Sequence, residues 1–342
     1  MFKKTVVLRA DGNAQIGLGH IYRCIAMAEM LQDEFNCEFL LGHHSKFENV
    51  IPSQFSIKHI SQEISLDLEH QWIKENYNTN SIALILDGYQ FKSSYQRSIK
   101  DLGIKLVYID DLCQEHMFAD AVINHSPVKN PDLYKKETYT QLYLGTEYVL
   151  LRQLFLKEAQ SPQNSFAGIS TVLITLGGSD EHNITLKILK AVLSFKQIKT
   201  INIVIGALYK HKDSLTQIIN RSTQKISLFS NLGEIEMLEL MKNNDAAFAP
   251  SSTTCLEVMA VNKPLFVGYS AENQKGLHAY LGANQLIFDL QNLQKASSEE
   301  LKQIILTNLD NRQEINKMLT LQKRLIDGES GSRVKNIIKN LI

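Results

Sequence analysis

His20 and Arg23 stand three residues apart in the stretch RADGNAQIGLGHIYRC, behind Gly17 and Gly19. An imidazole can carry a proton near neutral pH, and a spacing of three puts both side chains on one face of a helix. The glycines let backbone approach a ligand closely, and the N–H groups of a helix start attract anions. The dinucleotide fingerprint G-x-G-x-x-G would require glycine where Tyr22 stands, and the gap from strand to helix is long for it, which disfavours a nicotinamide or flavin. A plainer reading stands beside the chemical one: Asn13 and the glycines make a turn, and His20 only begins a helix.

Four further stretches place reactive types after apolar runs. In LDGYQ, Asp87 closes a strand and Tyr89 follows; capping of the next helix is the simpler role for that carboxylate. In YIDDL, Asp110 and Asp111 are adjacent, so strand alternation sends them to opposite faces and at most one reaches a shared site. In TLGGSD, Gly177 and Gly178 precede Ser179 and Asp180, a phosphate-cradle pattern without the P-loop lysine. A diphosphate held by backbone N–H groups competes there with a tight turn whose Ser or Asp caps the helix. In APSSTTCLEVMA, Thr254 and Glu257 have the spacing of a capping box, set against a hydroxyl-rich helix start that contacts phosphate while Glu257 contacts ribose.

The elements that must position these residues alternate along the chain. KTVVLRA, CEFLLG, SIALILDG, IKLVYIDD and DAVINH read as strands, with helices in IYRCIAMAEMLQDEF and KSSYQRSIKDLG. Near-continuous apolar strands between helices predict an α/β fold with parallel sheets covered on both faces. The polar stretch KEAQSPQNSFAG reads as a linker, after which STVLITLGG, INIVIG, KISLFS, DAAFAP and KPLFVGY restart the pattern. The expected organisation is an N-terminal Rossmann-like domain over 1–156, a linker over 157–168, and a C-terminal one over 169–330. A final helix over 331–342 is expected to pack back on the first domain. Ligands of doubly wound sheets bind beyond the carboxyl ends of the strands, where all five stretches lie.

The chain has 342 residues, with 36 basic residues matching 36 acidic ones. No basic excess marks a nucleic-acid partner. No apolar run has the length of a membrane span or signal-peptide core, so a cytoplasmic protein without membrane insertion is expected. The cysteines at 24, 37, 113 and 255 have no metal-binding spacing, and no metal or cofactor is expected.

Taken in order, the stretches VVLRADGNAQIGLGHIYRC, LDGYQF, VYIDDL, VINHSP, YLGTEYVLLRQLF, LITLGGSD, APSSTTCLEVMA and YSAENQKG resemble the UDP-2,4-diacetamido-2,4,6-trideoxy-β-L-altropyranose hydrolases of pseudaminic acid biosynthesis. The pattern of that family is R-x-D followed by I-G-x-G-H-x-x-R, and it is similar to MurG-like glycosyltransferases. The resemblance implies the GT-B arrangement, two Rossmann-like domains facing across a cleft. It implies release of UDP and free sugar from a UDP-sugar by inverting C1–O cleavage without metal. His20 would activate water, and Asp11 and Arg23 would orient it; Gly17 and Gly19 would leave room for the sugar. The base must be neutral, so activity falls as pH drops and the ring protonates. Gly178, Ser179, Thr253 and Thr254 would receive the departing UDP, Glu257 its ribose and Tyr89 the sugar, and Asn273, matching the asparagine of the family's D-N-Q motif, would also bind substrate. The chain departs from the pattern at Gly88, at Ser252 in place of a glycine, and at Glu272-Asn273-Gln274 in place of D-N-Q. An inverting glycosyltransferase or a non-catalytic UDP-sugar-binding protein on the same scaffold are the alternatives.

Overall fold

The computed structural model describes residues 3–13, 17–46, 48–127, 130–163 and 166–342. Ile16 of the glycine-histidine motif and residues 164–165 of the expected linker lie outside them. The chain divides into two compact units, one of Met1–Gln153 with Glu329–Ile342, the other of Leu154–Gly328.

The strands of the first unit are β1 (Thr5–Ala10), β2 (Asn36–Leu41), β3 (Ser56–His59), β4 (Ile82–Asp87), β5 (Lys105–Ile109), β6 (His116–Met117), β7 (Ala121–Asn124), β8 (Lys135–Lys136) and β9 (Gln141–Leu144). Those of the second are β10 (Thr171–Thr175), β11 (Thr200–Ile205), β12 (Lys225–Ser230), β13 (Ala246–Pro250), β14 (Leu265–Tyr269) and β15 (Phe288–Asn292). The helices in chain order are α1 (Gly19–Leu31), α2 (Glu69–Asn76), α3 (Ser93–Lys100), α4 (Gln153–Ala159), α5 (Ile184–Val192), α6 (Lys212–Ile219), α7 (Glu234–Lys242), α8 (Thr253–Ala260), α9 (Lys275–Ala283), α10 (Ser298–Asn308), α11 (Arg312–Leu325) and α12 (Ser330–Leu341). The stretch expected as linker therefore opens inside α4.

The expected α/β class with parallel sheets holds. The first sheet runs β3-β2-β1-β4-β5-β7-β9 and the second β12-β11-β10-β13-β14-β15, while β6 and β8 pair apart. All neighbours within both large sheets are parallel. β4, with sequence IALILD, is buried along its whole length because helices cover both faces of a central parallel strand. β3, β9 and β15 (SIKH, QLYL, FDLQN) were not expected from the pattern. Each lies at a sheet edge, where one side meets water and polar residues break the apolar run.

The strand order reverses once in each sheet: β1 sits between β2 and β4, and β10 between β11 and β13. At such a switch point the loops splay apart beyond the strand ends and open a crevice. In the first sheet Ala10 is in register with Asp87, so the loop into α1 and the end of β4 meet there. Helix α1 is buried almost all round, from His20 through Leu31. One side faces the sheet, and α12 covers another with Val334, Ile337 and Ile338 buried. Lys339 pairs with Glu34 just past the end of α1, at 2.7 Å.

The exit from β1 is anchored by a buried fork. Arg9, with no exposed surface, donates from Nη2 to Glu69 Oε1 at 2.8 Å and from Nε to Oε2 at 3.0 Å. Its Nη1 lies 2.8 Å from Asp11 Oδ2, its guanidinium stacks 5.0 Å from the Phe91 ring centre, and Tyr95 donates to Glu69 at 2.8 Å. Bidentate geometry fixes orientation as well as charge, so β1, α2 and α3 are locked together. Removing one partner strands a buried charge, at a cost of about 3–5 kcal/mol. Glu69→Leu is expected to lose about that much in a urea unfolding titration; a loss under about 1 kcal/mol, the worth of an exposed pair, would show that the fork is not an anchor.

Candidate active site

Gly17 takes φ +77°, a left-handed turn that a side chain would strain, and its N–H donates to Asn13 O at 2.9 Å. The chain then enters α1 at Gly19, and the first turn carries His20 and Arg23. Both reach Asp87, which is wholly buried. Arg23 donates through Nε to Asp87 Oδ2 at 2.8 Å and through Nη2 to Oδ1 at 2.5 Å. His20 Nδ1 lies 2.6 Å from the same Oδ1 and 2.7 Å from Arg23 Nη2. Placing the ring proton on Nδ1 lets it donate to the carboxylate; the other tautomer would set two acceptors against each other at 2.6 Å. In that tautomer Nε2 carries the lone pair and is the nitrogen able to take a proton.

Arg23 also donates through Nη1 to Asp111 Oδ2 at 3.1 Å, and Tyr89 donates its hydroxyl to the same oxygen at 3.1 Å. The Tyr89 ring stands edge-on to His20 at 4.9 Å and is 43% exposed, so it forms the wet side of a buried cluster. The adjacent carboxylates part just past the end of β5. Asp111 joins the cluster, while Asp110 accepts from Leu112 and Cys113 N–H and from Tyr134. His125 accepts from Leu150 N–H through Nδ1 at 3.4 Å; burial, and then the positive charge of Arg23, push it down to about 4 and keep it neutral.

The sequence reading gave Asp87 a helix cap as its simpler role, and the structure corrects this: its carboxylate goes to His20 and Arg23 and caps no helix. The following α3 receives Glu115, whose carboxylate accepts from Ser93 N–H at 3.1 Å. The register of β1 against β4 is what makes Asp87 the partner of His20, a signal visible only once strand order is known. Asp11 is not brought to His20. Besides Arg9, it accepts from Gly42 N–H at 2.8 Å and Gln90 at 3.1 Å, and so belongs to the anchor of the β1 exit.

In the second unit, the start of α5 is closed. Asp180 accepts from Ile184 N–H at 2.8 Å and Thr185 N–H at 2.7 Å, which settles the competition at TLGGSD for that carboxylate in favour of capping. Gly178 and Ser179 remain in the loop before it, Gly178 exposed. A Cβ on Gly206 would fall 2.2 Å from Gly178 O, so that loop is seated flat on the end of β11. The start of α8 is open: Ser252 at its N-cap makes no side-chain capping bond. Thr254 already lies inside the helix, so the Thr254–Glu257 capping box expected as an alternative does not form. Thr253 and Thr254 occupy the first turn and Glu257 is buried one turn on. Asn273 is exposed in a 3-10 turn before α9. Among the described residues no group of three or more His, Cys, Asp or Glu is arranged to hold a metal ion, and no helix is long and apolar enough to cross a membrane.

A family model described as lipid-A-disaccharide synthetase (LpxB) matches residues 120–325. The chain belongs to that family. An uncharacterized protein of Methanocaldococcus jannaschii is 28% identical over 79% of this member, which spans only 56% of the archaeal protein's length. A UDP-2,4-diacetamido-2,4,6-trideoxy-β-L-altropyranose hydrolase of Campylobacter jejuni is 27% identical over 54% of this chain and 64% of its own. The crystal structure of MurG from Acinetobacter baumannii superposes with a TM-score of 0.70, at 13% identity, over 98% of this chain and 99% of that one. The fold of this family member is therefore the GT-B fold.

The Asp87 charge carries a pH signature. Burial alone would raise its pKa, but the Arg23 charge and hydrogen bonds, with the His20 bond, overcome it and hold the group at about 2. A depressed carboxylate stabilises the fold above its unfolded pKa of about 3.9, and that contribution is lost as pH falls through the folded value. Wild type should thus exceed Asp87→Asn by about 2 kcal/mol near neutral pH, with the gap closing between about pH 4 and 2. Denaturant titrations across that range check it; a gap independent of pH would sink the assignment.

Proposed function

We propose that this chain is a nucleotide-sugar enzyme of the GT-B fold that hydrolyses a UDP-activated 2,4-diacetamido-2,4,6-trideoxyhexose to UDP and the free sugar. The observation that carries the reading is the His20–Asp87 bond of 2.6 Å, which holds the imidazole through Nδ1 and leaves Nε2 to act as the base. Inverting displacement at C1 needs such a base on the face opposite the leaving group, to take a proton from water as its oxygen bonds to the anomeric carbon. Asp87 then stabilises the imidazolium as it forms. Arg23 holds Asp87 in place and Tyr89 offers a partly exposed hydroxyl beside the ring.

The leaving group is a diphosphate, and the open start of α8 suits it. Backbone N–H groups and the hydroxyls of Thr253 and Thr254 can accept its charge without a cation. Glu257 suits ribose hydroxyls and Asn273 the sugar amides. Gly19 and Gly178 add support: a Cβ on either would meet nothing within 4 Å, so packing does not explain their missing side chains, whereas close approach of a ligand does. The Campylobacter relative supplies the sugar class, and the G-x-G-H-x-x-R spacing around His20 resembles the pattern of those hydrolases.

The synthetase family and the likeness to MurG favour a second reading, in which an acceptor hydroxyl replaces water at the same base. Turnover in heavy-oxygen water separates the two. Hydrolysis by C1–O cleavage puts the label into the free sugar and none into UDP, without any acceptor; a rate that depends on an acceptor decides for transfer. His20→Asn is expected to lower kcat by about 10²–10⁴-fold while UDP still binds in calorimetry. Retention of full turnover in that variant would remove His20 from the mechanism.

A further inference from the structure

His278 is buried in α9 and belongs to no part of the mechanism above. Its two ring nitrogens bridge separate strands. Nε2 lies 2.8 Å from Asp289 Oδ1 on β15, and Nδ1 lies 3.0 Å from Ser251 Oγ at the end of β13. Asp289 also accepts from Gln291 N–H at 2.6 Å, which holds the carboxylate still, and Tyr269 packs against the imidazole at 4.9 Å. The remaining charged side chains at the start of α9, Glu272 and Lys275, pair with each other at 2.8 Å.

The row Ser251–His278–Asp289 has the members of a hydrolytic triad but not its wiring. A nucleophilic serine contacts Nε2 while the carboxylate takes Nδ1; here the nitrogens are exchanged. Ser251 is also 2% exposed, and its hydroxyl lies 3.1 Å from Gly268 O, so no substrate carbonyl reaches it. The row is a strut. A carboxylate accepts the Nε2 proton, which leaves Nδ1 and Gly268 O to share the single proton of the Ser251 hydroxyl. Ser251 N–H is pinned as well, to Gly268 O at 2.9 Å. The residue so held immediately precedes Ser252, the uncapped start of α8. The helix that holds it, α9, follows directly on the turn of Asn273.

We propose that His278 is a positioning residue for the anion-binding turn at the start of α8, acting through Nδ1 on Ser251, with Asp289 setting its tautomer. The proposal rests on the reading that this turn receives the diphosphate of UDP. Its content is that one imidazole fixes both the phosphate-facing turn and the helix behind Asn273, so that affinity for UDP depends on which of its nitrogens is replaced.

Asparagine and glutamine separate the two nitrogens. The amide of His278→Asn reaches the place of Nδ1 and keeps a partner for Ser251; that of His278→Gln reaches the place of Nε2 and keeps only Asp289. Calorimetric titration of the full chain with UDP is expected to find His278→Asn within about threefold of wild type, and His278→Gln weaker by about tenfold, the worth of roughly one lost hydrogen bond. Ser251→Ala should weaken binding like His278→Gln, and combining the two should add little. Thermal unfolding of each variant supplies the control, since a purely structural role would rank affinity by stability alone. Equal affinity of His278→Gln and wild type, equal losses in both His278 variants, or additive losses in the double variant each overturn the proposal while the UDP reading stands. A wild-type chain that binds no UDP overturns both.

Discussion

Asp87 has no access to water, and its charge is answered by two side chains from a different strand–helix connection. Arg23 and His20 come from the first turn of α1, while Asp87 ends β4; only the side-by-side parallel packing of β1 and β4 lets them meet. Much of the first unit serves that meeting. The Gly17 turn aims the chain, the Arg9–Glu69 fork fixes the strand it leaves, and the apolar faces of α1 hold the helix at one depth.

The two units share a sheet order and use it differently. In the second, the loops beyond β10 and β13 flank the switch point, yet one helix start is filled by Asp180 and the other is left open at α8. An internal carboxylate cap neutralises the helix end that it occupies and repels an incoming anion. The flat seat of the Gly178 loop on Gly206 adds a rigid floor that no side chain interrupts.

The sequence pattern carried most of the fold, because central strands of parallel sheets are apolar throughout and helices between them keep a 3.6-residue period. It failed at β3, β9 and β15, where edge exposure mixes polar residues into the strand. At the site, His20 and Arg23 were legible from their shared helix face, and Asp110 and Asp111 do part as expected, although both lie just past the end of β5. Asp87 was not legible, since its role depends on which strand lies beside β1, a long-range fact that local spacing does not encode. The capping roles were misassigned for a related reason. Asp87, Thr254 and Glu257 all have the local spacing of caps, but Glu115 and the backbone around Ser252 decide those helix ends. Asp11 matched the expected motif, yet its carboxylate went to Arg9, Gly42 and Gln90.

The cover that α12 places on α1 has a consequence for how the chain is made. Helix α1 ends at Leu31 and α12 begins at Ser330, with the whole second unit synthesised between them. Until the last turns leave the ribosome, the outer face of the helix that carries His20 has no apolar neighbour on that side. The first unit emerges early and is finished late, so the reactive cluster reaches its final packing only when synthesis has passed through the other unit.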